Sequence, residues 1–153
     1  MGEKKIRPSV LLVKDGKILV LKSRYSSGEL YLLPGGRIEK DETIEETAIR
    51  ETKEETNYDV TLNKLLYIQE WIDNRREKNL LNAVFLGKIL QGEETHLKDP
   101  CLTEGKIHAI EWKTPEELRC CDFHPKAILD RLEKDMEEGF KYGAEYLPPE
   151  IVR

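Results

Sequence analysis

The sequence predicts an α+β fold, and three local patterns carry this prediction. Two short apolar runs flank Asp15-Gly16, a dipeptide typical of the type I′ turn of a β-hairpin. Residues 43–56 have the pattern of a helix. Residues 59–72 and 81–90 have the pattern of two long strands on either side of a polar turn. Because helices and antiparallel hairpins are mixed, α+β is expected rather than a doubly wound parallel sheet.

The elements in the first half of the chain have recognisable ends. The arms of the hairpin are expected at residues 10–13 and 17–21. Thr43 and Glu46 have the spacing of a capping box, in which each side chain accepts a hydrogen bond from the backbone of the other residue. Asn57 stands where a left-handed C-terminal cap would fall, and Asn tolerates that conformation. The helix is therefore predicted to begin just after Thr43 and to end just before Asn57.

The second half of the chain continues the mixed pattern. A polar turn at residues 73–79 separates the two long strands, and a short strand is expected at residues 107–112. Thr114-Pro115 is predicted to open a short helix, since Thr is a good N-cap and Pro suits the first helical position. Residues 125–138 have apolar side chains on one face of a helix. Without an internal repeat or a low-complexity linker, one domain over residues 1–153 is expected.

Composition indicates a soluble globular protein and excludes several classes of function. Apolar residues make up 39% of the chain and charged residues 36%, and the net charge of −5 gives no sign of a nucleic-acid-binding surface. The three cysteines have no C-x-x-C spacing, so reduced thiols and a cytoplasmic location are expected. The apolar run near the N-terminus is too short for a signal peptide or a membrane span. An acidic protein that handles phosphates usually needs a cation between itself and its substrate.

Three glutamates on the predicted helix are the first candidate for a functional site. Glu51, Glu54 and Glu55 are spaced i, i+3 and i+4, which places them on one face of the helix. Carboxylates this close repel one another, and hard oxygen donors of this kind suit magnesium or manganese. The alternative is a solvated acidic helix face, which is common in Glu-rich proteins.

Arg50 and a glycine-rich loop flank this carboxylate cluster. Arg50 stands four residues from both Glu46 and Glu54, so it can contact either carboxylate and fix its orientation. Pro34-Gly35-Gly36 precedes the helix, and glycines there let a carbonyl or a phosphate come close to neighbouring groups. The local unit is thus a glycine-rich loop, a capped helix and a carboxylate cluster.

The spacing within residues 36–58 resembles the Nudix box, Gly-x5-Glu-x7-Arg-Glu-U-x-Glu-Glu-x-Gly-U, where U is a bulky aliphatic residue. The matching residues are Gly36, Glu42, Arg50, Glu51, Glu54 and Glu55. The departures are Thr52, Asn57 and Tyr58, which replace the two aliphatic residues and the second glycine. None of these three positions holds a metal ligand in the family, so the departures leave the expected chemistry intact.

This resemblance implies a fold and a reaction. Nudix domains are α/β/α sandwiches around a mixed β-sheet, and they hydrolyse nucleoside diphosphates linked to another moiety. Carried over to this sequence, Glu51, Glu54 and Glu55 would ligate magnesium, with manganese as the alternative ion, and the carbonyl of Gly35 would lie beside them. Such an ion neutralises phosphate charge and activates a water for attack on phosphorus.

The proton acceptor is expected among the glutamates, because a carboxylate beside the metal can take the proton of the attacking water. Glu51 and Glu54 are the candidates inside the box. Glu104, in the polar loop that follows the long strands, is the candidate outside it, and an ordinary loop acid is the alternative there. By the same resemblance, Arg50 would orient a catalytic glutamate and Glu42 would have a largely structural role.

Substrate contacts are expected outside the box. Arg24 and Arg37 lie near the glycine-rich loop and could meet phosphates, and Trp71 could stack on a base. The alternatives are surface side chains for the two arginines and a core aromatic for Trp71. The expected partner is a small-molecule nucleotide, either a nucleoside triphosphate or a nucleotide sugar such as ADP-ribose, and a homodimer is expected by analogy. The competing hypothesis is a catalytically silent module that binds a nucleotide.

Overall fold

The computed structural model describes residues 2–26, 28–94 and 106–153. Its strands are β1 (Lys5–Leu11), β2 (Val13–Lys14), β3 (Lys17–Tyr25), β4 (Gly28–Leu32), β5 (Asp59–Asp73), β6 (Lys78–Gln91), β7 (Ile107–Lys113), β8 (Phe123–His124), β9 (Glu145–Tyr146) and β10 (Glu150–Val152). Its helices are α1 (Ile44–Thr56), α2 (Pro115–Arg119) and α3 (Leu129–Glu137). The strands form two mixed sheets with few helices, which confirms the α+β fold class.

The first sheet is built on one long antiparallel pair. β5 and β6 pair along almost their whole length and end with Asp73 opposite Lys78, so the predicted pair of long strands is confirmed. The carboxylate of Asp73 closes the turn by accepting hydrogen bonds from the backbone N–H groups of Arg75 and Arg76, at 2.9 and 3.3 Å. β1 pairs in parallel with β6, and β9 and β10 pair in parallel with β5, which makes the sheet mixed.

The second sheet contains the hairpin that the sequence predicts around Asp15-Gly16. These two residues have φ angles of 52° and 74°, and a type I′ turn requires positive φ at both central positions. The hairpin is shorter than predicted, because only Val13 and Lys14 pair with β3. Residues 10–11 instead belong to β1, which pairs with β6 in the first sheet. β3 also pairs with β4 and β7, and β8 lies in parallel beside β4.

Two hydrophobic cores lie on opposite faces of the sheets. On β3, Ile18 and Val20 belong to the core that contains residues of α2 and α3, whereas Leu19 and Leu21 belong to the core under α1. Successive side chains of a strand point to opposite faces, so a strand that is apolar at every position is covered on both sides. The helices therefore enclose the strands in the α/β/α arrangement that the resemblance implies.

α1 has the ends that the sequence predicts. The Thr43 hydroxyl accepts a hydrogen bond from the N–H of Glu46, the Glu46 carboxylate accepts one from the N–H of Thr43, and both are 3.1 Å long. Asn57 ends the helix with a φ of 68°. Thr52, a departure from the box, is buried, and its hydroxyl donates to the carbonyl of Ala48 at 2.8 Å. Small side chains form the buried face of α1, namely Thr47, Ala48, Thr52 and Thr56.

The last predicted helix is divided into two pieces. Residues 126–128 form a 3-10 turn, and α3 begins only at Leu129. Pro125 keeps an extended backbone with a ψ of 121°, so it belongs to the preceding strand end rather than to the helix. Leu129 and Leu132 are buried, as the apolar face of the predicted helix requires. In the part of the chain that the structure describes, no helix has the length and apolar character needed to cross a membrane.

Candidate active site

The glycine-rich loop lies directly against β1 and α1. The N–H of Gly36 donates to the carbonyl of Pro8 at 3.1 Å. A Cβ on Gly35 would lie 2.3 Å from the Pro8 carbonyl oxygen, and a Cβ on Gly36 would lie 2.4 Å from Cδ of Glu51. Both distances are shorter than a van der Waals contact, so a larger residue at either position would displace the loop from β1 or displace the Glu51 carboxylate.

Glu51 and Glu55 face this loop from α1. The N–H of Gly35 donates to Oε1 of Glu55 at 2.8 Å. Burial raises the pKa of Glu55 to about 8, and the opposing effects of the Arg7 charge and the Gly35 hydrogen bond are smaller. Burial also raises the pKa of Glu51. Removal from water disfavours a charged carboxylate. The positive charges near these two side chains are too weak to offset this effect, so both pKa values stay raised.

Arg50 connects the remaining glutamates of the box. Its Nε and Nη2 donate to the two carboxylate oxygens of Glu42 at 2.7 and 2.9 Å, and the pKa of Glu42 is lowered to about 2, chiefly by this contact. Its Nη1 donates to Glu51 at 3.1 Å and to Glu54 at 3.2 Å. The contact with Glu54 follows from the i, i+4 spacing. The other partner considered from sequence, Glu46, uses its carboxylate to cap α1 instead.

Arg7 belongs to the site and was missed by the sequence interpretation. It lies on β1, and its Nη2 donates to the carbonyls of Leu33 and Gly35 at 2.9 and 3.3 Å. Its Nη1 is buried and has no hydrogen-bond partner among the described residues. Burial lowers the pKa of Arg7, and the nearby charges of the box glutamates oppose this effect. The available signal was alternation, because Arg7 is in phase with Ser9 and Leu11, which are both buried.

The structure does not bring Trp71 to this site. The side chain is 1% exposed, and its ring stacks on His124 with centroids 4.0 Å apart and an interplanar angle of 7°. Trp71 is in phase with Gln69 and Asp73, the neighbouring buried positions of β5. It is therefore a core aromatic in this structure and offers no free face to a base. The proposed loop base, Glu104, lies outside the described residues.

Arg24 and Arg37 are both on the surface. Arg24 lies near the end of β3, where its Nη2 forms an ion pair with Oε1 of Glu29 at 3.3 Å. Arg37 follows the glycine-rich loop, its side chain is exposed, and its carbonyl accepts a hydrogen bond from Nη2 of Arg50 at 3.1 Å. Only the backbone of Arg37 is thereby attached to the box.

The chemistry of the donors near Gly35 suits a hard divalent cation. Glu51, Glu54, Glu55 and the carbonyl of Gly35 offer only oxygen, which magnesium and manganese prefer. Within residues 2–26, 28–94 and 106–153, no three acidic, His or Cys side chains are already gathered as a metal-binding group. Glu51 and Glu54 share the Nη1 of Arg50 instead. The residues fit such an ion by their donor chemistry and by their position on one helix face.

Comparisons with known proteins show which family this chain is similar to. The family model of the NUDIX domain matches residues 5–133. An ADP-ribose pyrophosphatase from Methanocaldococcus jannaschii is 33% identical over 84 residues, which are 54% of this chain and only 50% of that protein. A MutT-like protein from Streptomyces ambofaciens is 29% identical over 126 residues, which are 81% of this chain and 73% of that protein. A solved NUDIX hydrolase from Nitrosomonas europaea has a TM-score of 0.70 at 20% identity, covering 92% of this chain and 93% of that one.

Proposed function

Because this chain belongs to the NUDIX family, we propose that it hydrolyses a phosphoanhydride bond in a nucleoside diphosphate linked to another group. The observation that carries the proposal is the contact between the glycine-rich loop and the carboxylates of α1. Gly36 leaves the space that the Glu51 carboxylate occupies, and the N–H of Gly35 holds Glu55. The name of the relative from Methanocaldococcus jannaschii, a pyrophosphatase, supports this reaction class.

The same residues would hold a divalent cation, magnesium or alternatively manganese. Glu51, Glu54 and Glu55 would bind it, with the carbonyl of Gly35 as a further oxygen donor. When bound, the cation neutralises phosphate charge and activates a water for attack on phosphorus. A glutamate beside that water accepts its proton. Glu51 and Glu54 are the proposed acceptors on α1, and Glu104 is the alternative from the loop.

Arg50 and Glu42 have positioning roles in this proposal. Two hydrogen bonds from one guanidinium edge to Glu42 fix the plane of the Arg50 side chain. The remaining nitrogen, Nη1, then contacts Glu51 and Glu54 from a defined direction. A carboxylate that is oriented in this way loses less conformational freedom when it binds a cation or accepts a proton.

The proposed substrate is a nucleoside triphosphate or a nucleotide sugar such as ADP-ribose. The name of the relative from Methanocaldococcus jannaschii supports the nucleotide sugar. Arg24 and Arg37 stay proposed phosphate contacts, because both side chains are exposed and the second one follows the glycine-rich loop. Either substrate class presents at least two linked phosphates, and an acidic protein needs compensating positive charge to bind them.

A panel of nucleotides tests this function directly. Nucleoside triphosphates and nucleotide sugars are incubated with magnesium or manganese, and the phosphorylated products are measured. We expect cleavage of at least one panel member, loss of activity in excess chelator, and recovery when magnesium is restored. Full activity in excess chelator would exclude the cation. No cleavage of any member with either ion would favour the silent nucleotide-binding module.

We also propose a homodimer located in a reducing compartment such as the cytoplasm. The C-terminal segment carries exposed apolar side chains at Tyr142, Tyr146 and Ile151, with 53%, 59% and 47% exposure, and such side chains are common at protein interfaces. Cys120 and Cys121 have free thiols, which a reducing compartment preserves. Light scattering should give the mass of two chains of 17.8 kDa, and the mass of one chain would exclude the dimer.

A further inference from the structure

Two cationic side chains lie on one face of the first sheet, and the positive charge of one acts on the other. They are Arg7 of β1 and Lys78 of β6, which we call the β1–β6 cation pair. Arg7 stands opposite Asn82 in the parallel pairing of β1 with β6. Lys78 and Asn82 are four positions apart on one strand, so their side chains point to the same face of the sheet as Arg7.

Arg7 has a hydrogen-bond donor without an acceptor. Its Nη2 is engaged by the carbonyls of Leu33 and Gly35, whereas its Nη1 is buried and has no partner in the described part of the chain. Ser9, the next residue on the same face of β1, also has a buried Oγ that finds no partner within the described ranges. An unpaired buried donor is costly, and a charged donor more so. This end of β1 therefore lacks an acceptor that a ligand can supply.

Lys78 is a second cation, and the carboxylate nearest to it, that of Asp73, is shared with other cations. The Lys78 side chain is half-buried, and it forms no ion pair with any residue that the structure describes. Asp73 stands opposite Lys78 in the β5–β6 pairing, but its Oδ2 accepts a hydrogen bond from Nη1 of Arg76 at 3.0 Å. Burial lowers the pKa of Lys78, the positive charges of Arg7 and Arg76 lower it further, and the charge of Asp73 opposes them without cancelling their effect. The surroundings of Lys78 thus favour the arrival of an anion.

The position of the pair relative to α1 decides which anion fits. Nη2 of Arg7 donates to the Gly35 carbonyl at 3.3 Å, and the charges of Glu55 and Glu51 act on Arg7, so the Arg7 end of the pair adjoins the carboxylate site. The Gly35 carbonyl, which accepts from Arg7, is in the same residue whose N–H donates to Glu55. A ligand with two linked phosphates can therefore place one of them at the carboxylate site and the other at the neighbouring pair.

We propose that the β1–β6 cation pair binds a phosphate group of the substrate, namely the phosphate that is not attacked. The guanidinium of Arg7 donates through Nη1 to a phosphate oxygen, and the ammonium of Lys78 contributes a mobile point charge. Phosphate is the ligand class because it is a compact, multiply charged acceptor that satisfies both cations at once. The assignment of this phosphate to a substrate rests on the proposed function, whereas the anion site itself does not.

The anion site is tested without turnover, by NMR titration of the full-length, isotope-labelled protein in excess chelator. Inorganic phosphate is the probe, and adenosine, which has no phosphate, is the control ligand. We expect saturable shifts of the Arg7 side-chain N–H signals and of the backbone signals of Gly35 and Lys78, with none of these from adenosine. The absence of saturable shifts at these positions would overturn the proposal. A failed hydrolase proposal is a separate result, seen as no turnover of the nucleotide panel by the unaltered protein.

Two matched variants locate the effect. Lys78→Met should weaken phosphate binding about tenfold, because it removes one charge-assisted contact, and it should raise KM while kcat changes little. Lys88→Met removes the same charge from an exposed position further along β6 and should leave phosphate binding and KM unchanged. Equal weakening by both variants would indicate diffuse surface charge and overturn the site, as would no weakening by Lys78→Met. Arg7→Gln is a third variant and should lose saturable phosphate binding. Its spectrum also reports whether the chain is folded.

Discussion

Glu42 and Glu55 belong to one motif, but they have opposite electrostatic environments. Glu42 receives two hydrogen bonds from Arg50, and its pKa is lowered to about 2. Glu55 receives one backbone hydrogen bond, and burial raises its pKa to about 8. The first carboxylate already has its counter-ion, whereas the second has no ion pair among the described residues and is a proposed ligand of the cation. The comparison teaches that the partners of a glutamate, and not its place in the motif, separate the proposed structural role of Glu42 from the proposed ligand role of Glu55.

The largest expected effect concerns the proposed ligands of the cation. Glu54→Gln should lower kcat/KM with magnesium by roughly a hundredfold or more, because it removes a charge that the proposed metal site requires. The side chain of Glu54 is 57% exposed, so the fold should remain intact. Glu45→Gln, at an exposed position of the same helix, is the control and should keep its activity. Near-normal turnover of Glu54→Gln would move the chemistry to other residues.

The next effect depends on the space that Gly36 leaves. In Gly36→Ala, the added methyl group would lie 2.4 to 2.7 Å from three atoms of the Glu51 carboxyl group, so this side chain must turn away. We expect activity to fall roughly ten- to a hundredfold, as for other lost metal-site contacts, while the melting temperature changes little. Gly143→Ala is the matched control, since a Cβ there meets nothing within 4 Å. Equal activity of the two variants would show that the position of Glu51 is unimportant.

A third effect appears in the stability of the metal-free protein. The pKa of Glu55 is raised from 4.5 to about 8, so the folded chain keeps a proton that the unfolded chain has released. The stabilisation is complete below the unfolded value and is lost as the pH rises towards the folded value. In excess chelator, the free energy of unfolding should therefore fall by up to a few kcal/mol between about pH 5 and about pH 8. The free energy of unfolding of Glu55→Gln, measured with urea at each pH, should lack this decrease. The same dependence on pH in Glu55→Gln and in the unaltered protein would contradict the raised pKa of Glu55.

The smallest effect is expected for Glu42, whose charge is already compensated by Arg50. Glu42→Gln weakens the contact that fixes Arg50 but leaves the proposed ligands in place, so kcat should fall about tenfold or less. The contribution of Glu42 to the free energy of unfolding depends on pH with the opposite sign to that of Glu55. The stabilisation from Glu42 is present above pH values of about 4.5 and is lost as the pH falls towards 2. If Glu42→Gln lost as much activity as Glu54→Gln, the distinction between the proposed structural role and the proposed ligand role would not hold.

The features that sequence reasoning predicted well depend on neighbouring residues. The capping box of Thr43 and Glu46, the cap at Asn57 and the turn at Asp15-Gly16 each follow from a backbone requirement that a few adjacent residues satisfy. The long β5–β6 pair is also local, because a short turn joins strands that are consecutive in the chain. Periodicity and turn chemistry are sufficient for such elements.

The features that it missed depend on residues far apart in the chain. Of the two roles that the sequence left open for Trp71, a base-stacking side chain or a core aromatic, the structure shows the second, because His124 from a distant strand covers its ring. Arg7 was not considered, because its role arises only where β1 meets the loop at Leu33 and Gly35. The arm predicted at residues 10–13 was divided, since the pairing of β1 with β6 outweighs the extension of the local hairpin. Long-range pairing of this kind leaves little trace in a local window.

The parallel pairing of β1 with β6 also sets the order in which the parts of the proposed active site can form during folding. Lys5 pairs with Leu80 and Leu11 pairs with Leu86. The first strand can therefore pair only after a segment far along the chain has been synthesised. α1 can form before then, since its caps are local. Arg7 lies on β1, and the glycine-rich loop is hydrogen-bonded to β1. Both acquire their final positions only when β1 pairs with β6. Long-range pairing of parallel strands is slow relative to the formation of a local helix. Ligand binding therefore reports the completion of the first sheet, which makes it a late marker of refolding.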